Sequence, residues 1–378
     1  KCVPSGTRRF GLCRKLKRYI EGMTIFATVM ETMPNQPRIY LDHAATTPVI
    51  PAAREAMADA MLRWANPSSP HQEGRAARFA LEDARRRIAA ALNWDGEVIL
   101  TSGASEAIAL GLRVHDAVAS SVEHDAVLAV AGPTRLPVVD NGYVDITAIT
   151  GNMRFAVQSV NNETGVIQPM ADIAAAVRKV GGIFFADCSQ SAGKLPLPDA
   201  DLISISAHKL GGPPGMGALL VRNLGLLSPT GGQEQGYRRG TENLPAAIGF
   251  AAALEAGFAW METAVRLRKM LDDAIVAAGG EVVAASSNRL ATIGSYRMAG
   301  VAASSQLINF DMAGIAVSAG SACSSGTLKA SHVLGAMGWD NKSASEVIRV
   351  SFGADTNASE IERFIDVWSS IAGRSKIA

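Results

Sequence analysis

The sequence predicts an α/β fold, a mostly parallel sheet with helices on both faces, and two observations carry that expectation. Short apolar runs of strand length alternate with Ala-rich helical stretches, which is the β-α-β rhythm of a parallel sheet. Polar residues gather where those runs end, at Ser102-Gly103, Asn161-Asn162, Asp187 and Ser206, and strand ends are where open α/β sheets bind ligands.

The elements follow in order. EVILTS (97–102) reads as a buried strand that opens an Ala-rich helix from about Ala104 to Val114. A short strand at Ala117–Ser120 leads to a helix starting near His124. RFAVQSV (154–160), GIFFAD (182–187) and LISIS (202–206) are continuous apolar runs, as expected where both sheet faces are covered. Between the first two, the helix Ala171–Val180 is ended by Gly181-Gly182. SISAHKLGGPPGMGALLV (204–221) takes one strand into a Gly/Pro-rich loop and out through another. After about Leu244 a long helix is expected, then shorter strands and helices. This reading assigns residues 51–249 to a large domain and residues 38–50 and 250–378 to a smaller α+β domain. Residues 1–37 are basic, lack a clear period and contain Met23, Met30 and Met33. They are expected to be a disordered extension, and three origins stay open: an upstream-translated segment, a genuine tail or a targeting sequence.

Composition excludes several function classes. The chain has 378 residues, 36 Lys+Arg against 35 Asp+Glu, a near-zero balance that argues against general nucleic-acid binding, which needs a basic face. The balance hides an asymmetry: residues 1–22 carry +6, leaving −5 on the rest. Cys2, Cys13, Cys188 and Cys323 are too few and too scattered for a disulfide framework, and no CxxC pair suggests a metal site. The apolar stretch Ala246 to Trp260 is broken by Glu255, short of the ~18 residues a membrane span requires. An enzyme of a reducing compartment, cytoplasmic and without a membrane partner, is the expectation.

Three features carry chemistry. Lys209 stands at a strand end beside Gly-rich backbone, where a desolvated amine can form a Schiff base; a surface lysine at a turn has the same local sequence. Asp187 ends an apolar run, where a carboxylate either caps the next turn or holds the ring nitrogen of pyridoxal phosphate (PLP) protonated. The 22 residues between them amount to one strand–loop–strand excursion, so both can reach one ligand from neighbouring strand ends. TSGASEA (101–107) is a strand, a Gly turn and a helix start; its backbone N–H groups at Gly103 and Ala104, with the Ser105 hydroxyl, can cradle a phosphate, joined by Ser206 and His208. An ordinary N-cap looks the same.

These residues belong to a longer pattern. YLDHAATTP (40–48), NPSSPHQEGRAAR (66–78), TSGASEA, SVEHDAVL (121–128), VNNETGVIQP (160–169), ADCSQSAGKLP (186–196), SAHKLGGPPGMGALLVR (206–222), RRGTEN (238–243), SAGSACSSG (318–326) and IRVSFG (348–353) occur in order along the chain. The chain resembles the PLP-dependent cysteine desulfurases of the NifS/IscS type, within the fold-type I class V aminotransferase superfamily. The resemblance implies a seven-stranded central sheet. It makes Lys209 the Schiff-base lysine and pairs Asp187 with the pyridinium nitrogen. It places Gln190 and Asn162 near the PLP 3′-oxygen, and His124 on the ring as a proton carrier. Gly103, Ala104, Ser105, Ser206 and His208 would hold the phosphate, joined by Thr241 of a partner subunit in a homodimer. Arg349 would clamp the carboxylate of L-cysteine with its bidentate fork, and Asn66 is a second candidate for that carboxylate.

Cys323 lies in a run of small and polar residues that no core would favour, which predicts an exposed thiol suited to carrying sulfur. Cys188, beside Asp187, reads as a small buried residue. The activity implied is conversion of L-cysteine to L-alanine, the sulfur leaving as a Cys323 persulfide. It would pass to an acceptor or scaffold protein for iron–sulfur cluster assembly or tRNA thiolation. Selenocysteine lyase, class V aminotransferase and a catalytically silent scaffold are the alternatives. The chain departs from the pattern at Pro214, where relatives often carry a basic residue, and at Ser105, where Thr is common.

Overall fold

The computed structural model describes residues 37–63, 65–113, 117–320 and 331–375. After the short strand β1 (Ile39–Tyr40), helices Pro51–Met61 and Gln72–Ala91 precede the central sheet. That sheet has seven strands: β2 (Glu97–Thr101), β3 (Ala117–Ser120), β4 (Arg135–Leu136), β5 (Arg154–Gln158), β6 (Ile183–Asp187), β7 (Leu202–Ser206) and β8 (Gly217–Val221). Their spatial order is β2-β8-β7-β6-β5-β3-β4, and only β8 runs antiparallel to its neighbours.

The apolar runs are continuous because both faces are covered. Along β5, Phe155 and Val157 enter one core with Leu100, Ile173 and Ile203, while Ala156 on the opposite face enters another with Phe185, Leu202 and Leu219. The first core is closed by Leu81 and Ile88 of the helix Gln72–Ala91 and by Phe250 of the helix Leu244–Glu255. The helix Ala104–Gly111 lies on the second face, with Ala107 and Ile108 buried.

The structure corrects three boundaries. The helix expected to reach Val114 stops at Gly111. There the chain must come close to Phe185, and a Cβ would sit 2.4 Å from that ring. The Gly111 carbonyl also accepts from buried Arg154. The strand RFAVQSV ends at Gln158. The long helix after Leu244 is two helices, Leu244–Glu255 and Met261–Ala277, separated where Gly257 takes φ +73. The short strand β4 has no signal of its own in the sequence.

Beyond the second of those helices lies a three-stranded antiparallel sheet, β9 (Glu281–Val282), β10 (Ile293–Arg297) and β12 (Val347–Ser351), in the order β12-β10-β9. The two-residue strand β11 (Ile315–Ala316) sits between β10 and β12 in sequence. The helices Ala303–Met312 and Ala358–Ser375 meet through Phe310 and Phe364, whose rings stack at 4.6 Å. Arg349 of β12 faces the ends of the central strands through its bond to the Asn162 carbonyl.

Candidate active site

Sheet topology decides which residues meet. β6 and β7 are parallel neighbours in register, Asp187 opposite Ser204, so the segments that follow them leave from one edge of the sheet. A cavity of about 360 Å³ opens there, lined by Asp187, Gln190, Ser206, His208 and Lys209. Gly103, Ala104, Ser105, His124 and Asn162 continue its wall, with Ser102 beside them. A second cavity of about 270 Å³ adjoins it and shares His124, Asn162 and Lys209, adding Arg349, Asp42, Ser318, Gly320 and His332. The structure thus brings together the expected cofactor residues of one chain and sets Arg349 beside them. It does not bring in Asn66, which is exposed, its Oδ1 taken by the Ser68 N–H, and lines neither cavity. Thr241 is also exposed and lines neither. Cys323 lies outside the described residues.

The Lys209 side chain is largely enclosed and its Nζ donates to the Ala44 carbonyl. Burial, reinforced by Arg349 and opposed by Asp187 and Asp42, lowers its pKa to about 8, so about a tenth of the amine is neutral at pH 7. Asp187 is 6% exposed. Its Oδ1 accepts from the Ser189 N–H at 3.0 Å, the Ser189 hydroxyl at 2.6 Å and the Ser204 hydroxyl at 2.9 Å. Its other oxygen has no bond of this kind among the described residues, which leaves an anchored carboxylate with a free lone-pair edge at the cavity. Gln190 is pinned through Nε2 to the Ala44 carbonyl at 3.0 Å, and its buried Oε1 has no partner.

The turn Ser102-Gly103 is closed because β8 starts with glycine: a Cβ on Gly217 would lie 2.7 Å from Gly103. From it starts the helix Ala104–Gly111, whose first N–H groups have no acceptor within the helix. Glu106 bends back to accept from the Ser102 N–H, and its carboxylate also takes Arg238 Nε at 3.0 Å, which ties the RRGTEN loop to the cradle. Burial, with Lys209 nearby, lowers His208 to about 4; its Nδ1 meets Thr46 Oγ1 at 3.1 Å. His124 caps the helix Asp125–Leu128, its Nδ1 accepting from the Ala126 N–H.

Arg349, 7% exposed, is held from two sides, Nη1 to the Asn162 carbonyl at 2.9 Å and Nη2 to Asp42 Oδ1 at 2.7 Å. Sequence reasoning misses Asp42, although it lies within YLDHAATTP. It also misses Glu123, directly before His124. That residue is fully buried, its Oε1 accepting from the Ser120 hydroxyl and from the Gln158 N–H at 2.8 Å, while Oε2 has no partner. Burial foremost, with Asp187 adding, pushes this carboxyl up to about 8. His332 bonds the Glu123 carbonyl through Nε2 at 2.9 Å, and Ser331 donates to Glu163 at 2.6 Å. Cys188 is the buried small residue expected, its thiol pushed up to about 12 by burial.

Comparison with known proteins agrees with this geometry. The family model described as aminotransferase class-V matches residues 39–364. A cysteine desulfurase of Cereibacter sphaeroides is 36% identical over 365 residues, covering 87% of this chain and 94% of that protein. The chain belongs to the class-V aminotransferase family, among its cysteine desulfurases. An IscS-like cysteine desulfurase of Mycobacterium tuberculosis is 34% identical, with 90% and 97% of the two chains covered. The solved structure of a NifS-like protein from Rickettsia africae superposes with a TM-score of 0.82 at 28% identity, covering 89% of this chain and 99% of that one. A structure described as SspA in complex with cysteine gives a TM-score of 0.73 at 29% identity, covering 83% and 98%.

The family's cofactor is pyridoxal phosphate, and the cavity fits it. A carboxylate with one oxygen anchored and one free suits a protonated ring nitrogen. The orphaned Gln190 Oε1 suits a polar ring substituent, the helix start suits a phosphate, and the low-pKa amine suits the aldehyde. Among the described residues, no helix is long and apolar enough to cross a membrane.

Proposed function

We propose that this cysteine desulfurase converts L-cysteine to L-alanine at the two adjoining cavities and passes the sulfur to Cys323 as a persulfide. The observation that carries the reading is the sharing of His124, Asn162 and Lys209 between a cavity with a phosphate cradle and one with a buried arginine. Lys209 would hold the cofactor, Asp187 its ring nitrogen, and Gln190 and Asn162 its ring oxygen. Gly103, Ala104, Ser105, Ser206 and His208 would take its phosphate. When bound, the cofactor supplies an electron sink for charge developing at the substrate α-carbon.

The chain's own groups do the rest. Arg349, already fixed by Asp42 and the Asn162 carbonyl, presents a preoriented guanidinium to the substrate carboxylate. Lys209 Nζ, with a pKa near 8, can take the α-proton as a neutral amine. His124, whose Nδ1 accepts from the Ala126 N–H, carries its ring proton on Nε2 and offers that N–H as a donor to the substrate sulfur. Gly320 lines the arginine cavity, and Cys323 follows it three residues later in the sequence. Attack of the Cys323 thiolate on the substrate sulfur forms an S–S bond and breaks the substrate C–S bond, whose electron pair stays with the alanine carbon skeleton and is later protonated.

In this reading the protein works in the cytoplasm as a homodimer, Thr241 of each chain completing the partner's phosphate site. It supplies iron–sulfur cluster assembly or tRNA thiolation. Residues 38–50 and 250–378 form the smaller domain that carries the sulfur-accepting cysteine. The decisive experiment uses Cys323→Ser. The variant should keep the cofactor's visible absorbance and still respond spectrally to L-cysteine, yet lose alanine production by several orders of magnitude. Wild type given L-cysteine without reductant should gain one sulfur atom, ~32 Da, on the peptide holding Cys323. Alanine release at the wild-type rate from Cys323→Ser would overturn the assignment.

A further inference from the structure

Lys194, a second lysine behind the Lys209 segment, has no part in the proposed reaction. It lies in the turn after β6, and its Nζ donates to the carbonyls of Gln190 at 3.2 Å and Lys209 at 3.3 Å. Both carbonyls belong to residues that line the cofactor cavity, while Lys194 itself does not line it. Burial, then repulsion from Lys209, brings this amine down to about 8. Its charge is felt on the other side too: His43 is lowered to about 4, by burial first and Lys194 second.

The charges around Lys209 fall into two groups. Arg349 of β12, Asp42 after β1 and Asp187 of β6 face it from the ligand side, with His208 beside it in the chain. In the proposed reaction, Asp187 is neutralised by the ring nitrogen and Arg349 is shared between Asp42 and the substrate carboxylate, so the ligand side keeps no unpaired cation near Lys209 when the site is filled. Lys194 faces backbone carbonyls instead, bonded to the Lys209 carbonyl itself, and the repulsion by which Lys209 lowers Lys194 acts equally on Lys209. We propose that Lys194 is a positioning residue for the reaction: its ammonium pins the Gln190 and Lys209 peptides and supplies the cation that keeps the Lys209 nitrogen deprotonated in the filled site. A neighbouring cation is an established way of lowering a catalytic lysine.

The test is a pH titration of the visible absorbance of the PLP-loaded enzyme, in wild type, Lys194→Met and Lys194→Arg. Removing the charge should move the spectral midpoint to higher pH by about one unit, a tenfold change in proton affinity, and Lys194→Arg should restore the wild-type midpoint. The rate at which the apoenzyme regains its chromophore with added PLP should show the same shift in its pH profile. A purely structural role would lower yield or melting temperature and leave both midpoints in place, and that result overturns the proposal. Should Lys194→Met fail to fold, Lys194→Gln keeps an N–H donor for one carbonyl and is read in the same way. A wild type without any cofactor–lysine chromophore would instead overturn the assignment of Lys209, so the two failures are distinct.

Discussion

Replacing Glu123 by glutamine should change how stability depends on pH. The carboxyl is fully buried, and burial foremost raises its pKa to about 8, against an ordinary value of 4.5. Below pH 4.5 it is protonated in both folded and unfolded chains and contributes nothing that varies. Between 4.5 and 8 the unfolded chain releases the proton and the folded one keeps it, so stability is lost as pH rises through that window. The slope is about 1.4 kcal/mol per pH unit, or roughly 3 kcal/mol between pH 5.5 and 7.5. Glutamine cannot titrate. Its Oε1 can keep the Ser120 and Gln158 bonds, and its amide takes the place of the unpartnered Oε2. An unpaired amide there adds a constant cost of about 1–3 kcal/mol that does not vary with pH. Urea midpoints across pH 5.5–7.5, at one fixed PLP excess, should fall for wild type relative to Glu123→Gln. Parallel curves would show that Glu123 is ionised in the folded protein and refute the reasoning.

Other outcomes follow from the same contacts. Lys209→Ala should bind PLP without the visible chromophore of a lysine Schiff base, read in an absorbance scan. Arg349→Gln removes a charge-assisted pair of bonds to the substrate carboxylate and should lower kcat/KM for L-cysteine by about 10- to 150-fold, mostly through KM, in steady-state alanine assays. Gly111→Ala places a Cβ 2.4 Å from the Phe185 ring and should cost about 1–3 kcal/mol, seen as a lower thermal midpoint with unchanged KM. Sedimentation at micromolar concentration should show a dimer, and Thr241→Ala should speed PLP loss on dialysis; an active monomer would contradict the shared site.

Much of the fold is legible because strands buried on both faces leave a plain mark. GIFFAD and LISIS have too many consecutive apolar residues for a half-exposed strand, and each forms a sheet strand ending at a site residue. Boundaries are less legible where tertiary contacts set them. The stop at Gly111 depends on Phe185, far along the chain, and β4 exists only because β3 pairs with it. The antiparallel run of β8 is also hidden, since the loop from Lys209 to Gly217 has the same composition whichever way the chain turns.

Site residues are legible where they stand at the end of a recognisable run, and hidden where their meaning is a long-range contact. Asp42 reads as one letter in a polar stretch; it matters because the buried Arg349, 307 residues away, needs a counter-charge to stay aimed. Glu123 and Lys194 are hidden for another reason: the first lies beside His124, the second in a small-residue turn four positions after Gln190, and each reads as its context. Their environments show what the sequence does not. Each is a titratable group with no ion-pair partner among the described residues, and each is moved toward its neutral form by burial, Glu123 up and Lys194 down to about 8. The two groups are shifted in opposite senses to about 8, where the pKa of Lys209 also lies. The prediction is that the pH profile of kcat will carry more than one ionisation near 8, and that Glu123→Gln and Lys194→Met will each remove a different one. A profile that both variants leave untouched would mean that neither group titrates in the working enzyme.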